Sequence, residues 1–242
     1  VRLLLLLLVV PLAGAAFVSY YVYDSSLRRE IRTVSEETTS GICADLESVL
    51  KEARTELTYM ELSTDVDLFL YDEYGMQYNY SVNNIVRTLR MPVLVKDYVE
   101  SVYIYSLRGS RVVGLAGVAD YETFYGKEMM DAFLGQEERN IIIAREGDEG
   151  GYSRKYLTLF QMIGYGNQLR GAIMMNLNSE ELLEELSVPE DVRIYLTDGE
   201  EILFSSDLDL VEQSVDAIPG TGYGMTETLP CPPKRRTFSG SG

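Results

Sequence analysis

The chain has 242 residues, 46% of them hydrophobic and 24% charged, and a formal net charge of -17. This composition is globular, and the acidic balance argues against nucleic-acid binding because phosphate contacts require lysine and arginine. The sequence contains no histidine, which removes the commonest general base, the commonest metal ligand and every histidine-containing catalytic triad. We therefore predict a protein that is not an enzyme and that needs no cofactor or metal.

Residues 3–23 form an unbroken apolar and aromatic run, and Asp24 is the first charged residue after Arg2. About 20 such residues in a helix cross a hydrocarbon core of roughly 30 Å. We therefore predict a transmembrane signal-anchor helix over residues 1–24.

A second interpretation of this run stays open. The small residues Ala13-Gly14-Ala15 are typical of a signal-peptide cleavage site, after which the mature chain would begin at Ala16 and be a secreted or anchored binding module. The orientation is also open on charge alone. Three arginines follow the run and only Arg2 precedes it, which weakly favours a cytoplasmic location for the rest of the chain.

Residues 25–64 are predicted to form a long stalk helix. The segment contains no proline, and its apolar or small residues recur at gaps of three and four, which is the spacing of one helical stripe. These residues are Leu27, Ile31, Val34, Thr38, Ile42, Leu46, Val49, Ala53, Leu57 and Met60. A helix this long needs a partner along its stripe, either its own domain or a second copy in a parallel homodimer.

The rest of the chain alternates helical and strand patterns, which predicts an α+β fold. The first predicted elements are a helix over 65–91 with a break at Pro92, strands over 101–106 and from Val112, and a helix over 120–134. A strand over 140–144 and a hairpin over 156–165 and 169–177 follow. The last are a helix over 180–186 capped by Asn178-Ser179 and a second hairpin over 192–196 and 202–204. Residues 65–187 and 188–229 are predicted to be two successive units.

The last residues, 230–242, match neither a helix nor a strand and are predicted to be a disordered tail. The composition changes abruptly after about residue 225. We expect from this change that the native reading frame ends prematurely, before the second unit is complete.

Several stretches resemble the double Cache sensor domain of Firmicute-type membrane histidine kinases and related transmembrane regulators. The likeness covers residues 1 to about 225. It is carried by the first span with its Val10-Pro-Leu-Ala-Gly motif, the long helix, Val99-Glu-Ser-Val-Tyr-Ile-Tyr-Ser106, Met174-Met-Asn-Leu-Asn178 before Ser-Glu-Glu-Leu-Leu, and Leu196-Thr-Asp-Gly199.

The resemblance implies a membrane-distal PAS-like antiparallel sheet that holds the ligand and a smaller, incomplete membrane-proximal PAS-like unit. It implies a location on the outside of the cell membrane and a sensory role in a two-component signal-transduction receptor. A second membrane helix and an output module follow in the family but not in this sequence, so no kinase activity is assigned.

The resemblance also bears on the ligand. Amino-acid-binding members carry a pattern of Tyr, Arg, Trp-Tyr and Asp, whereas residues 120–125 here contain neither Trp nor Arg. The implied partner is a small molecule, with a carbohydrate as one candidate, or a ligand-loaded binding protein.

The candidate ligand-binding residues are aromatic or polar side chains on the predicted distal sheet and its helix. They are Tyr103, Tyr105, Tyr121, Tyr125, Tyr156, Thr158, Arg170 and Asn176. Tyr103 and Tyr105 share a strand face, as do Tyr156 and Thr158, while Tyr121 and Tyr125 lie four apart and are expected on one helical face. Core packing of the tyrosines, and a solvated strand edge for Arg170 and Asn176, are the alternatives.

Overall fold

The computed structural model describes residues 2–71, 76–148, 153–165, 168–189 and 192–218. The helices are α1 (Arg2–Glu61), α2 (Thr64–Tyr71), α3 (Met76–Val95), α4 (Lys127–Leu134) and α5 (Ser179–Glu185). The strands are β1 (Val99–Ser106), β2 (Arg111–Gly114), β3 (Gly117–Asp120), β4 (Asn140–Asp148), β5 (Ser153–Tyr165), β6 (Gln168–Asn178), β7 (Tyr195–Thr197) and β8 (Ile202–Ser205). Helices combined with antiparallel strands confirm the predicted α+β class.

The chain divides into two compact units, Val1–Ala44 and Asp45–Gly242. The described part of the first unit is helical throughout and belongs to α1. The second unit contains the end of α1 and all the other elements. The predicted division at residues 64/65 and 187/188 stays a prediction.

Within the second unit, the predicted stripe of α1 is buried. Its buried side chains are Leu46, Leu50, Ala53, Leu57 and Met60. Leu57 lies beside Ile142 and Leu159 of the sheet. Over this stretch α1 therefore packs on its own domain, and Leu50 rather than the predicted Val49 continues the buried stripe.

Six strands form one antiparallel sheet in the order β3-β2-β1-β6-β5-β4. The predicted hairpin of β5 and β6 is present and pairs Phe160 with Met174, which is in turn opposite Tyr103 of β1. Strand β4 lies at the edge and pairs Arg145 with Tyr156. The centre of the sheet therefore brings together strands that are far apart in sequence.

The two faces of this sheet are covered by different helices. One face is apolar and carries Val102, Ile104, Leu157, Leu159, Ile173 and Met175, all of them at most 1% exposed. It is covered by the end of α1 and by α2 and α3. The opposite face carries a second apolar cluster that includes Phe160 and Met174 and is covered by residues 121–134. Both layers exclude water from the sheet.

A two-stranded antiparallel sheet of β7 and β8 follows α5. Asn178 caps α5 by accepting hydrogen bonds from the N–H groups of Glu180 and Glu181, as predicted. Strand β8 is fully buried, with Leu203 and Phe204 inaccessible to solvent. The second predicted hairpin is thus present, in shorter form.

Three predicted element boundaries were wrong. Pro92 lies within α3 rather than ending it, because a proline in the last turn removes a single helical hydrogen bond. Residues 117–120 form the additional strand β3, and α4 begins only at Lys127. Strand β4 continues to Asp148 instead of stopping at Ala144, because its pairing with β5 runs to that residue. The predicted tail, 230–242, lies outside the described residues.

Among the described residues, no helix combines the length and the apolar character needed to cross a membrane. The anchor predicted from residues 3–23 therefore stays a prediction.

Candidate functional site

A row of hydrogen-bonded polar side chains crosses four neighbouring strands on the sheet face covered by residues 121–134. The Nε–H of Arg145 donates to Thr158 Oγ1 at 3.2 Å, and the Thr158 hydroxyl donates to Asn176 Oδ1 at 2.9 Å. The Asn176 amide then donates to Ser101 Oγ at 2.9 Å. All four residues are buried, and we call them the polar row. The row is continuous from β4 to β1.

Arg145 lies among aromatic rings at the β4 end of the row. Its guanidinium carbon is 4.5 Å from the centroid of the Tyr156 ring and 5.8 Å from that of Tyr125. An arginine remains charged at any ordinary pH, and aromatic faces attract such a cation. Gly147 makes room for the group, because a Cβ there would collide with the Arg145 guanidinium and the Tyr156 ring. The sheet therefore holds a positive charge in a largely desolvated place.

Three aromatic rings cover the middle of the same face. Tyr103 lies 5.1 Å from Phe124 and 5.7 Å from Tyr125, and the last two are 4.9 Å apart, measured between ring centroids. Tyr125 is 52% exposed, whereas Phe124 is buried. Gly126 allows the close fold of this segment, because a Cβ there would meet the Phe124 ring at 2.7 Å. The rings leave one tyrosine at the surface above Arg145.

A hydrogen bond and a stacked ring pair hold the covering segment on the sheet. The Tyr121 ring stacks on Tyr105 with centroids 4.0 Å apart, and its hydroxyl donates to Asp131 Oδ1 of α4 at 2.6 Å. Burial, and then the bond to Asp131, raise the pKa of Tyr121 far above its usual range, so it stays a neutral donor. This contact fixes the position of the turn that precedes α4.

Arg170 lies away from the polar row. Its guanidinium is paired with Asp67 of α2 at 3.0 Å and lies 4.8 Å from the centroid of the Tyr71 ring. These contacts attach the beginning of β6 to α2. The structure thus gives Arg170 a role in packing and does not bring it to the other candidate residues.

Residues 121–134, which cover this face, are called the cover. The structure brings five of the eight predicted residues together around the polar row and the cover. These are Tyr103, Tyr125, Tyr156, Thr158 and Asn176. Tyr105 and Tyr121 lie on the same sheet face but belong to the buried ring pair that anchors the cover. The expectation that Tyr121 and Tyr125 share a helical face was wrong, because residues 121–123 form a 3₁₀ turn and α4 starts later. Ligand binding by any of them stays a prediction.

Two members of the polar row, Arg145 and Ser101, were not predicted. Arg145 was missed because the strand was expected to end at Ala144. The signal was the alternation of Ile141, Ile143 and Arg145, which places all three side chains on one strand face. Ser101 was treated only as the start of a strand, although it also shares its face with Tyr103.

Comparison with known proteins identifies the fold. No family model matches this sequence, and no curated protein matches it significantly. The periplasmic sensory domain of the Campylobacter jejuni chemoreceptor Tlp1 superposes with a TM-score of 0.52 at 13% identity, covering 72% of each chain. The extracellular domain of a protein described as a histidine kinase superposes with a TM-score of 0.51 at 10% identity, covering 75% of this chain and 73% of the other.

A third solved structure is a domain of a sensory box/GGDEF family protein from Vibrio parahaemolyticus. It superposes with a TM-score of 0.50 at 9% identity, covering 76% of this chain and 74% of the other. The chain therefore has the fold of extracytoplasmic sensory domains of bacterial receptors, which confirms the predicted class of fold. At these identities the likeness concerns the fold.

Proposed function

We propose that this chain is the extracytoplasmic, non-catalytic sensor region of a bacterial signal-transduction receptor, with a double Cache arrangement. We further propose that it binds a small molecule between the polar row and the aromatic rings of the cover. The observation that carries the proposal is the row itself, Arg145–Thr158–Asn176–Ser101, buried on one face of the sheet.

Packing of the sheet core does not require the buried polar groups of the row. Burying a hydroxyl or an amide is unfavourable unless it is hydrogen-bonded, and burying a guanidinium is more so. A sheet face that only had to pack would be served mainly by apolar residues, as on the opposite face, where buried Gln161 bonds to Glu61 of α1. Ligand sites typically combine apolar and aromatic walls with a few fixed polar groups. The row next to Tyr103 and Tyr125 has that composition.

The chemistry of the row favours a ligand with an anionic group, such as a small carboxylic acid. A guanidinium carries five N–H donors and a fixed positive charge, and the bond from Nε to Thr158 orients its plane. Its planar geometry matches the two oxygens of a carboxylate. Neutral carbohydrates, the class suggested by the resemblance, would instead stack on the exposed Tyr125 and are the competing class.

The test is a thermal-shift titration of the full chain, solubilised in detergent, with two matched sets of compounds. One set contains monocarboxylates and dicarboxylates of increasing length, and the other contains neutral mono- and disaccharides. A ligand that binds only the folded state raises the melting temperature in proportion to the logarithm of its concentration. We expect members of the first set to do so.

Arg145→Gln should abolish that stabilisation. Arg170→Gln is the matched control, because Arg170 is also an arginine stacked on a tyrosine but lies outside the row. The ligand class is wrong if only saccharides stabilise the chain. The site is wrong if both variants respond equally, and the sensory function loses its support if no compound in either set binds.

We propose that residues 3–23 anchor the chain in the cell membrane as a single span with the bulk outside. Resistance of the membrane-bound chain to alkaline carbonate extraction would support the anchor, whereas a mature chain beginning at Ala16 would favour the cleaved signal peptide. Digestion by a protease added to intact spheroplasts would support the orientation. A parallel homodimer through the long helix is tested by crosslinking cysteines placed along residues 25–44.

A further inference from the structure

A second polar cluster links the edge hairpin of the large sheet to the small sheet. Lys155 Nζ lies 2.8 Å from Glu146 Oε2 and 3.1 Å from Glu212 Oε2. The other oxygen of Glu212 accepts the backbone N–H of Glu146 at 3.2 Å. Glu212 is thus bound by both strands of the β4–β5 hairpin. We call Glu146, Lys155 and Glu212 the clamp.

The backbone of Glu212 is in an unfavourable conformation. Its φ is 71°, in the left-handed region that residues other than glycine seldom adopt. Such a conformation persists only when the surroundings enforce it, and it often marks a functional element. The two contacts from the hairpin hold its side chain, and the hydrogen bond from the Gln213 N–H to the Leu210 carbonyl closes the turn around it.

The clamp is mechanically joined to the core of the small sheet. The Glu212 N–H donates to the Ile202 carbonyl at 2.9 Å, and the Ile202 N–H donates to the Gln213 carbonyl at 2.8 Å. Ile202 is the first residue of β8 and is fully buried. A displacement of Glu212 must therefore change the hydrogen bonds at the start of β8.

The clamp is also directly adjacent to the polar row. Arg145 pairs with Tyr156 across the hairpin, and the next pair along is Glu146 with Lys155. Each strand of the hairpin thus carries one residue of the proposed site directly beside one residue of the clamp. A Cβ at position 147 would collide with the Arg145 guanidinium and the Tyr156 ring, so Gly147 lets both groups lie close against the hairpin backbone.

We propose that the β4–β5 hairpin couples the polar row to the small sheet, with Glu212 as the residue that receives the displacement. Movement of Arg145 changes the position of Glu146 and Lys155, which loosens or tightens their hold on Glu212, and β8 responds. The proposal rests on the proposed function for the nature of the signal, but the coupling itself needs no ligand.

The experiment is hydrogen exchange of the full detergent-solubilised chain, followed by mass spectrometry of peptides from residues 200–214 and 144–158. Arg145→Gln serves as the probe in place of a ligand. We expect it to change the exchange rate of the amides of Ile202 and Glu212 by about fivefold or more. In a Glu212→Gln background the same change at Arg145 should have no further effect on those amides.

Coupling between two places is reciprocal, so Glu212→Gln alone should change the exchange of residues 144–158. This second measurement keeps the test valid if Arg145→Gln fails to fold. Asp207→Asn is the matched control, because it removes the Arg193–Asp207 ion pair beside the small sheet without touching the hairpin. It should leave residues 144–158 unchanged.

The proposal is overturned if the Ile202 and Glu212 amides do not respond to Arg145→Gln, or if they respond equally with and without Glu212. It is also overturned if Asp207→Asn affects the hairpin as much as Glu212→Gln does. These outcomes are independent of the ligand titration. Binding without coupling removes only this proposal, and coupling without binding removes only the proposed ligand site.

Discussion

The two faces of the six-stranded sheet are built from alternate residues of the same strands, yet they differ in chemistry. The face under α1, α2 and α3 consists mainly of aliphatic residues and methionine, such as Leu159 and Ile173, and its buried Gln161 donates to Glu61 of α1. The face under residues 121–134 has a comparable apolar cluster at one end and the polar row at the other. The backbone is shared, so the difference lies in the side chains alone.

This difference separates the apolar side chains that stabilise the sheet from the polar side chains that form the proposed ligand site. Burial of apolar area stabilises both faces, and it dominates on the first. The second face gives up part of that stabilisation to place Arg145, Thr158, Asn176 and Ser101 in a fixed order. We therefore expect substitutions on the first face to affect stability, and those in the polar row to affect stability less and ligand response more.

The largest effect on stability is expected on the apolar face. Leu159→Ala removes a side chain that is 1% exposed and leaves a cavity under α1, which should lower the free energy of unfolding by about 2–5 kcal/mol. Urea denaturation followed by circular dichroism measures the loss. The ligand response of the folded variant should be unchanged. A loss below that of the polar-row variants would remove the contrast between the faces.

In the polar row, Asn176→Ala is expected to have an intermediate effect. The substitution leaves the buried hydroxyls of Thr158 and Ser101 without their amide partner, which should lower the free energy of unfolding by about 1–3 kcal/mol. Denaturation measures this loss, and the thermal-shift titration should show that stabilisation by carboxylates is lost as well.

A double variant sharpens this prediction. Ser101→Ala with Asn176→Leu removes the amide together with one of its two partners and fills the space of the amide, while Thr158 still accepts from Arg145. The double variant should therefore be more stable than Asn176→Ala and still fail to respond to carboxylates. A double variant that retains the response would show that these two side chains do not contact the ligand.

The sequence predicted the apolar face better than the polar one. The two apolar segments of β5 and β6, with the turn signal between them, predict the hairpin from the local sequence alone. The polar row depends on which strands become neighbours, and the distance in sequence from Ser101 to Asn176 carries no such information. Arg145 was missed for a local reason, because charged residues at the end of a strand resemble a loop. Thr158 and Asn176 were identified because each stands among apolar strand residues.

A smaller effect is expected where the cover is attached to the second face. Tyr121→Phe removes the hydroxyl that donates to Asp131 but keeps the ring stacked on Tyr105. Because Asp131 is exposed and can bind water instead, the loss should be about 1 kcal/mol. Denaturation of this variant beside Tyr80→Phe, whose ring is 69% exposed, measures it. Equal stabilities of the two variants would show that this bond does not hold the cover.

The smallest effect is expected from the clamp at acidic pH. The hydrogen bond from Lys155, and then that from Ser153, hold the pKa of Glu146 below its ordinary value of 4.5. A carboxylate with a lowered pKa in the folded state stabilises the fold above its unfolded pKa. That contribution is lost as the pH falls through the folded-state value.

The melting temperature of the wild type should therefore exceed that of Glu146→Gln near neutral pH, and the two should converge as the pH falls below 4.5. Thermal melts of both chains from neutral to acidic pH measure the difference. Glu47→Gln, a change at an exposed position of α1, is the control for loss of one negative charge. Equal melting temperatures of the wild type and Glu146→Gln at every pH would mean that the clamp carboxylate adds nothing to the stability of the hairpin. The hold of the hairpin on Glu212 would then rest on the Lys155 side chain and the Glu146 N–H.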